Sequence, residues 1–387
     1  MIRVGDFRIG KEERDAINAV LDSGQISEGK YVKEFEKEFA KKIGTKYCVT
    51  VNSGTSALLV GLLALKYLNK VPKGSKVITT PLTYVATSNA LILAGLKPVY
   101  VDVNPITFDM SIVEVESLLQ VDPKGYAAIL PVHLMGYPCD MDAINYLAKK
   151  YNLTVFEDAA QAHGTKINGK NVGTMSLLAD YSFYIAHNIQ VGEMGAIVTD
   201  DAEVAKLIRR LKANGRACDC LVCTKAQGTC PKEGNNPRFT HTHVGYNFKT
   251  MEFQAALGIG QIAKMDEIVK VRSENVKKLN NRLKGISNAL ILPKYDENVS
   301  YLAYPIITNL NREELMSKLT AKGIESRPLF GCIPTQQPAY SNFKFEYKGK
   351  LKNAEFLGSQ AFYIGCHQYI TDSDIDYIGK TFEEILK

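Results

Sequence analysis

The apolar run Thr154–Glu157 delivers Asp158 and then Ala159-Ala160-Gln161-Ala162-His163. An aspartate at the end of a buried strand can hold a proton on a heteroaromatic ring nitrogen. In a pyridoxal-type cofactor that proton makes the ring an electron sink. Other side chains suit the same group. Tyr84 could lie flat on a ring, Gln161 could bond its hydroxyl, and Ser56 with Ser182 could hold a phosphate. His187 sits in a polar, glycine-flanked loop where a side chain can meet a ligand. With an unperturbed pKa of about 6.5, its imidazole is largely neutral at pH 7 and able to take a proton. Each residue has an ordinary alternative: a helix cap for Asp158, core for Tyr84, an idle loop position for His187. All of those alternatives holding together is implausible.

A second constellation is Cys218-x-Cys220-x2-Cys223-x6-Cys230. Thiolate-only ligand sets suit iron–sulfur clusters or a structural zinc. The spacing matches neither the common ferredoxin run nor a paired zinc ribbon, so cluster, zinc and uncoordinated thiols all stay open. Cys48, Cys139, Cys332 and Cys366 are dispersed and read as small buried hydrophobes.

These residues need elements to position them. A strand Tyr47–Val51 feeds Asn52-Ser53-Gly54-Thr55-Ser56 and a helix from about Ala57. Free amides at a helix start make an anion site, although such a turn is also an ordinary cap. Strands then read at Val77–Pro81, Pro98–Val103, Ala127–His133 and Thr154–Glu157, with helices at 86–94, 111–120 and 140–151 between them. A strand Tyr181–Tyr184, the His187 loop and a strand Ala196–Thr199 follow. This alternation predicts an α/β fold with a mostly parallel central sheet, whose ligands collect beyond the strands' carboxyl ends. Helices are predicted at 11–22, 30–42 and 201–214, and one long helix at about 250–283. The remainder reads as a smaller C-terminal α+β domain. The division is placed at 1–265, including the cysteine-rich loop 215–239, and 266–387.

The chain has 387 residues, of which 45% are hydrophobic and 23% charged, and a net charge of +6. Its lysines are scattered, which argues against a nucleic-acid footprint and fits an acidic substrate. The start, MIRVGDFRIG, lacks a signal-peptide core, and the apolar run Ala57–Leu65 is too short to span a membrane. A cytoplasmic enzyme is expected, without a disulfide framework for its eight cysteines.

The runs VNSGTSAL, PLTYVAT, LPVHLMGYPCDMDAI, EDAAQAHGT, SFYIAH, GEMGAIVTDD and GYNFKTMEFQAALGIGQI resemble the sugar-aminotransferase (DegT/DnrJ/EryC1/StrS) family. The resemblance spans nearly the whole chain. It implies the aspartate-aminotransferase fold (PLP fold type I) and a homodimer with active sites at the subunit interface. It pairs Asp158 with the pyridine nitrogen and Gln161 with the ring hydroxyl. Tyr84 would stack on the ring, and Thr55, Ser56 and Ser182 would bind the phosphate. Asn247 would reach that phosphate from the other subunit.

Ordinary members read S-F-x-x-x-K, and the lysine holds the cofactor covalently. Here that position is His187, and Met194 stands where glycine is often found. The histidine marks the nucleotide-sugar 3-dehydratases, a branch also resembled at RPLFGCIPTQQPAY and FYIGCHQYIT. The resemblance implies non-covalent pyridoxamine 5′-phosphate, interconverting with pyridoxal 5′-phosphate. It also implies loss of the C3 hydroxyl from a nucleoside-diphosphate 4-keto-6-deoxy sugar, with His187 removing the cofactor C4′ proton. Lys249 and Arg327 become candidates for the sugar diphosphate, with ordinary surface charge as the alternative.

One group of these dehydratases carries a cysteine-rich insertion holding an iron–sulfur cluster fed by a reductase. Another has the histidine, no cluster, and uses glutamate. The four cysteines favour the first, with an electron-donating reductase as a further partner. Two other readings compete. One is an aminotransferase using Lys212 or Lys249, and the other is a non-catalytic sensor with a zinc-stabilised loop.

Overall fold

The computed structural model describes residues 1–218, 239–347 and 349–387. Its frame is an eight-stranded sheet. In spatial order the strands are Tyr47–Val51, Gly195–Thr199, Leu178–Ser182, Thr154–Asp158, Tyr126–Leu130, Lys76–Thr79, Lys97–Tyr100 and Glu346–Tyr347. Every strand but Gly195–Thr199 points the same way. The ends of neighbouring strands therefore open onto one edge, where Asp158 and Ser182 emerge.

Helices cover both faces, so the central strands are buried along most of their length. Gly54–Tyr67 is apolar nearly all round and buried from Ser56 to Leu65, as a helix enclosed by a core should be. A Cβ on Gly61 would lie 2.7 Å from the Phe156 ring, so only glycine lets this helix approach the sheet so closely. On the other face, Phe35 and Phe39 of the helix Lys30–Ile43 pack against Tyr181 and Phe183.

A second sheet orders Leu290–Ile291, Tyr304–Thr308, Ala361–Ile364 and Ser326–Pro328, all antiparallel. The helices Met265–Leu283, Arg312–Ala321 and Asp372–Ile385 lie in the same part of the chain. Asp102 ties it to the large sheet by accepting from the Asn353 and Ala354 amides, each at 2.9 Å.

Several elements differ from the sequence reading. The predicted strand Tyr181–Tyr184 is Leu178–Ser182, because a strand buried on both faces shows no alternation to fix its ends. The helix expected from Ala57 already begins at Gly54, since Ser53 caps it by accepting the Ser56 amide at 3.1 Å. The single helix expected over 250–283 is two, Glu252–Ala263 and Met265–Leu283, meeting at Lys264. Met194 keeps the loop geometry intact: it is fully buried and its carbonyl accepts the Phe183 amide at 2.8 Å.

Candidate active site

A cavity of about 410 Å³ opens at the carboxyl ends of the central strands, within the usual range for small-molecule sites. Thr55, Tyr84, Asp158, Gln161, Ser182, His187 and Arg327 all line it. Seven residues scattered between positions 55 and 327 thus meet in one place.

Asp158 is buried at the end of its strand. Thr87 Oγ1 donates to its Oδ2 at 2.8 Å and the Ala160 amide to its Oδ1 at 3.2 Å. Both partners are neutral. Burial pushes the Asp158 carboxyl above its ordinary range, against the pull of those bonds. A cationic ring N–H is the partner such a carboxyl lacks. Neighbouring Glu157 is the opposite case. It collects donors from His133, Gly173, Met175 and Ser176, which hold its carboxyl below the ordinary range despite complete burial.

His187 is buried, and its Nδ1 lies 2.7 Å from the Ser182 carbonyl oxygen. A carbonyl can only accept, so Nδ1 carries the proton and Nε2 keeps its lone pair. Burial lowers the imidazole pKa to about 4. The Ser182 bond acts the other way, and the charge of Arg272 adds to the depression. His187 is therefore a neutral base at pH 7, more firmly than its ordinary pKa suggests.

Ser53, Gly54 and Thr55 line the cavity where the helix Gly54–Tyr67 starts. The cap occupies the Ser56 amide and leaves those of Gly54 and Thr55 beside the cavity. A Cβ on Gly54 would stand 2.6 Å from Ser182 Cβ, so this cradle requires glycine. Helix amides and a serine hydroxyl suit a phosphate. Gln161 Oε1 accepts the Met135 amide at 3.0 Å, which leaves its NH2 as the donor. Tyr84, 58% exposed, lies against Phe330 at the mouth. The residues present fit pyridoxal or pyridoxamine phosphate.

Other predicted residues lie elsewhere. Ser56 is buried and bonded to Ser53, off the cavity wall. Asn247 is exposed and accepts from Lys249 Nζ, and neither residue lines the cavity. Burial lowers the Lys249 pKa, against the charge of Glu28. Lys212 is buried, ion-paired to Glu28 at 2.7 Å and donating to the Thr50 carbonyl at 2.8 Å. Among the described residues lining the cavity there is no lysine. Arg327 lies in the wall with its guanidinium held by Glu325 at 2.7 and 2.9 Å. Cys218 is half-buried; Cys220, Cys223 and Cys230 fall outside the described residues. Among the described residues no cluster of three or more His, Cys, Asp or Glu is placed to hold a metal ion. No helix among them is long and apolar enough to cross a membrane.

Sequence reasoning missed Thr87 and Asp180, and it named Ser53 and Gly54 only as part of the anion-binding turn. Spacing could have found Asp180, two residues before Ser182 and so on the same strand face. Thr87 carried no signal, because its contact with Asp158 spans 71 positions.

The family model for DegT/DnrJ/EryC1/StrS aminotransferases matches residues 8–383. The chain belongs to that family. Its relatives include the lipopolysaccharide biosynthesis protein RfbH of Salmonella typhimurium, 33% identical over 97% of this chain and 89% of that protein. The GDP-4-keto-6-deoxy-D-mannose 3-dehydratase of Escherichia coli O55:H7 is 30% identical over 97% of this chain and 96% of its own. Among solved structures, a GDP-4-keto-6-deoxymannose 3-dehydratase with a trapped PLP–glutamate geminal diamine superposes with a TM-score of 0.89. It is 28% identical and covers 99% of this chain and 100% of that one. The family's fold, an α/β aminotransferase-type architecture around a mostly parallel sheet, is the one described above.

Proposed function

We propose that the chain is a pyridoxamine-phosphate-dependent 3-dehydratase of a nucleoside-diphosphate 4-keto-6-deoxyhexose. The observation that carries the reading is His187 Nε2, a neutral base in the cavity wall at the position where other family members hold their cofactor through lysine. The bound cofactor would supply an amine for the sugar's C4 ketone and a ring that accepts an electron pair.

The chain's own residues do the rest. Asp158 would hold the proton on the ring nitrogen. Gln161 would donate to the ring hydroxyl, and the Gly54 and Thr55 amides with Ser182 would hold the phosphate. Tyr84 at the mouth would bound the ring's side of the cavity. Nε2 of His187 would serve as the base, its imidazole oriented by the Ser182 carbonyl. Burial disfavours the imidazolium so formed, which favours passing that proton to the departing C3 hydroxyl. Arg327 in the wall suits the sugar diphosphate. Exposed Asn247 and half-buried Lys249, bonded to each other, suit the phosphate and substrate of a second copy's site.

Glutamate is the reading we favour for regenerating the aminated cofactor, because the solved dehydratase of matching fold was trapped with it. The run Cys218–Cys230 is the one observation favouring an iron–sulfur cluster and a reductase instead. The reading is tested by incubating the full chain with pyridoxamine phosphate and a 4-keto-6-deoxy nucleotide sugar and following C3 deoxygenation by mass. Amination at C4 without loss of oxygen would return the chain to the aminotransferases.

A further inference from the structure

One buried acid in the cavity has no task in this scheme. Asp180 lies on the strand Leu178–Ser182, two residues before Ser182 and on the same face, and it lines the cavity. In the sheet register it stands beside Asp158 of the neighbouring parallel strand. Two carboxyl groups therefore share one wall.

Asp180 is fully buried, and among the described residues neither of its carboxyl oxygens has a hydrogen-bond partner. Among the described residues its surroundings offer no free counter-charge. Its other register partner is Ile197. The helix start packed over the wall contributes Gly54, Thr55 and Leu58, and the Thr87 hydroxyl is spent on Asp158. Of the charged or titratable cavity residues, Arg327 is held by Glu325, and His187 is neutral with its Nδ1–H on Ser182. Glu193 also lines the cavity and adds no positive charge. Asp158 is the group whose charge acts on Asp180.

Two neighbouring carboxyls on one buried wall disfavour double ionisation, so the pair retains a proton. Burial first, then the charge of Asp158, pushes the Asp180 carboxyl well above its ordinary range. Asp158, which has two donors, is the better place for the charge.

We propose that Asp180 is a second cofactor-facing residue, kept in its acid form beside Asp158, whose O–H finds its acceptor on the bound cofactor. The wall then presents one negative charge to the ring and not two. This rests on the reading of the cavity as a pyridoxamine phosphate site, and it adds a residue and a pH dependence to that reading. Ionisation of Asp180 at alkaline pH places a second anion against a phosphate-bearing ligand, so cofactor affinity falls as pH rises. Asn has the shape of the acid form and cannot ionise.

The test measures binding of pyridoxamine 5′-phosphate to the full chain, wild type and Asp180→Asn, from neutral to alkaline pH. Each protein's affinity at neutral pH serves as its own reference, since the Asn amide can donate where the acid form does. On the alkaline side the wild type should weaken towards about tenfold per pH unit, and the variant should lack that added fall. Titration of the cofactor's own phosphate and ring is common to both proteins and cancels in the comparison. Superimposable profiles would overturn the proposal while leaving the cofactor site standing. Wild type that binds no pyridoxamine phosphate would overturn the functional reading and this inference with it. A second measurement covers a variant that fails to fold. The infrared spectrum of cofactor-bound wild type, with and without 13C-aspartate, should contain the carbonyl stretch of a protonated aspartic acid, and its absence overturns the proposal.

Discussion

The imidazole of His187 donates its Nδ1–H to the main-chain carbonyl of Ser182 at 2.7 Å. The residue that offers a hydroxyl to the phosphate end thus also sets the tautomer of the base. Burial lowers the His187 pKa to about 4. The acid limb of kcat/KM, which reports the free enzyme, should therefore fall near pH 4 and not near the ordinary value of about 6.5. Stability has a matching sign. The unfolded chain takes up the imidazole proton first, so His187 costs stability as pH falls from about 6.5 towards its folded value. His163 and His367, both depressed chiefly by burial, act in the same direction. A kcat/KM profile with its acid limb near 6.5 would remove His187 as the base. His187→Asn should lower kcat by about 10²–10⁴-fold.

His187→Lys puts an amine at the cavity wall in the position from which other family members hold their cofactor. Reduction with borohydride after pyridoxal phosphate is added should leave a covalent mass increment absent from wild type. Dehydration should be lost. A variant that binds the cofactor and gains no covalent mass would show that position 187 does not reach the reacting carbon.

Asp158→Asn keeps the shape of the side chain and can still accept from Thr87. The ring nitrogen would then lose the anion that keeps it protonated, and with it the electron sink. The variant should fold with near-normal circular dichroism and turn over at least about 10²-fold more slowly. Near-normal turnover would make Asp158 a structural residue.

Much of this site was legible because its parts are punctuation between strands. Asp158 and Gln161 follow an apolar run, and His187 follows another, so period and breakers located them. Ser56 was misplaced for a physical reason. Serine before a helix serves equally as cap and as ligand, and here Ser53 and Ser56 bond each other while Gly54 and Thr55 face the cavity. Asp180 escaped because it lies inside a strand buried on both faces, where alternation is silent and only its two-residue spacing from Ser182 marks it. The break at Lys264 escaped too, since apolar spacing continues through it.

Gly54→Ala tests the phosphate cradle. The new Cβ would meet Ser182 Cβ at 2.6 Å and Oγ at 2.8 Å, so the helix start or the strand end must move. Overpacking of this kind costs about 1–3 kcal/mol. Pyridoxamine phosphate affinity should fall by a larger factor than affinity for pyridoxamine, which lacks the phosphate. Equal losses would place the phosphate elsewhere.

The cysteine run separates the two ways of supplying electrons. Under the glutamate-coupled reading, purified protein should deoxygenate a 4-keto-6-deoxy nucleotide sugar with glutamate alone, and Cys223→Ser should leave that rate unchanged. Under the cluster reading, anaerobically purified protein should be brown and contain iron with acid-labile sulfide. Turnover would then need a one-electron reductant, and Ser at Cys218, Cys220, Cys223 or Cys230 should abolish colour and net deoxygenation together. Proton exchange at the cofactor carbon should survive those substitutions if His187 is the base, since the cavity wall includes none of the four cysteines among its described residues. Structural zinc predicts a third pattern: colourless protein that loses folded structure when a ligand is removed. Iron and sulfide per chain, measured beside activity with and without glutamate, decide among the three. Full activity on glutamate in iron-free protein would sink the cluster route, and stoichiometric iron with no glutamate-dependent turnover would sink the other.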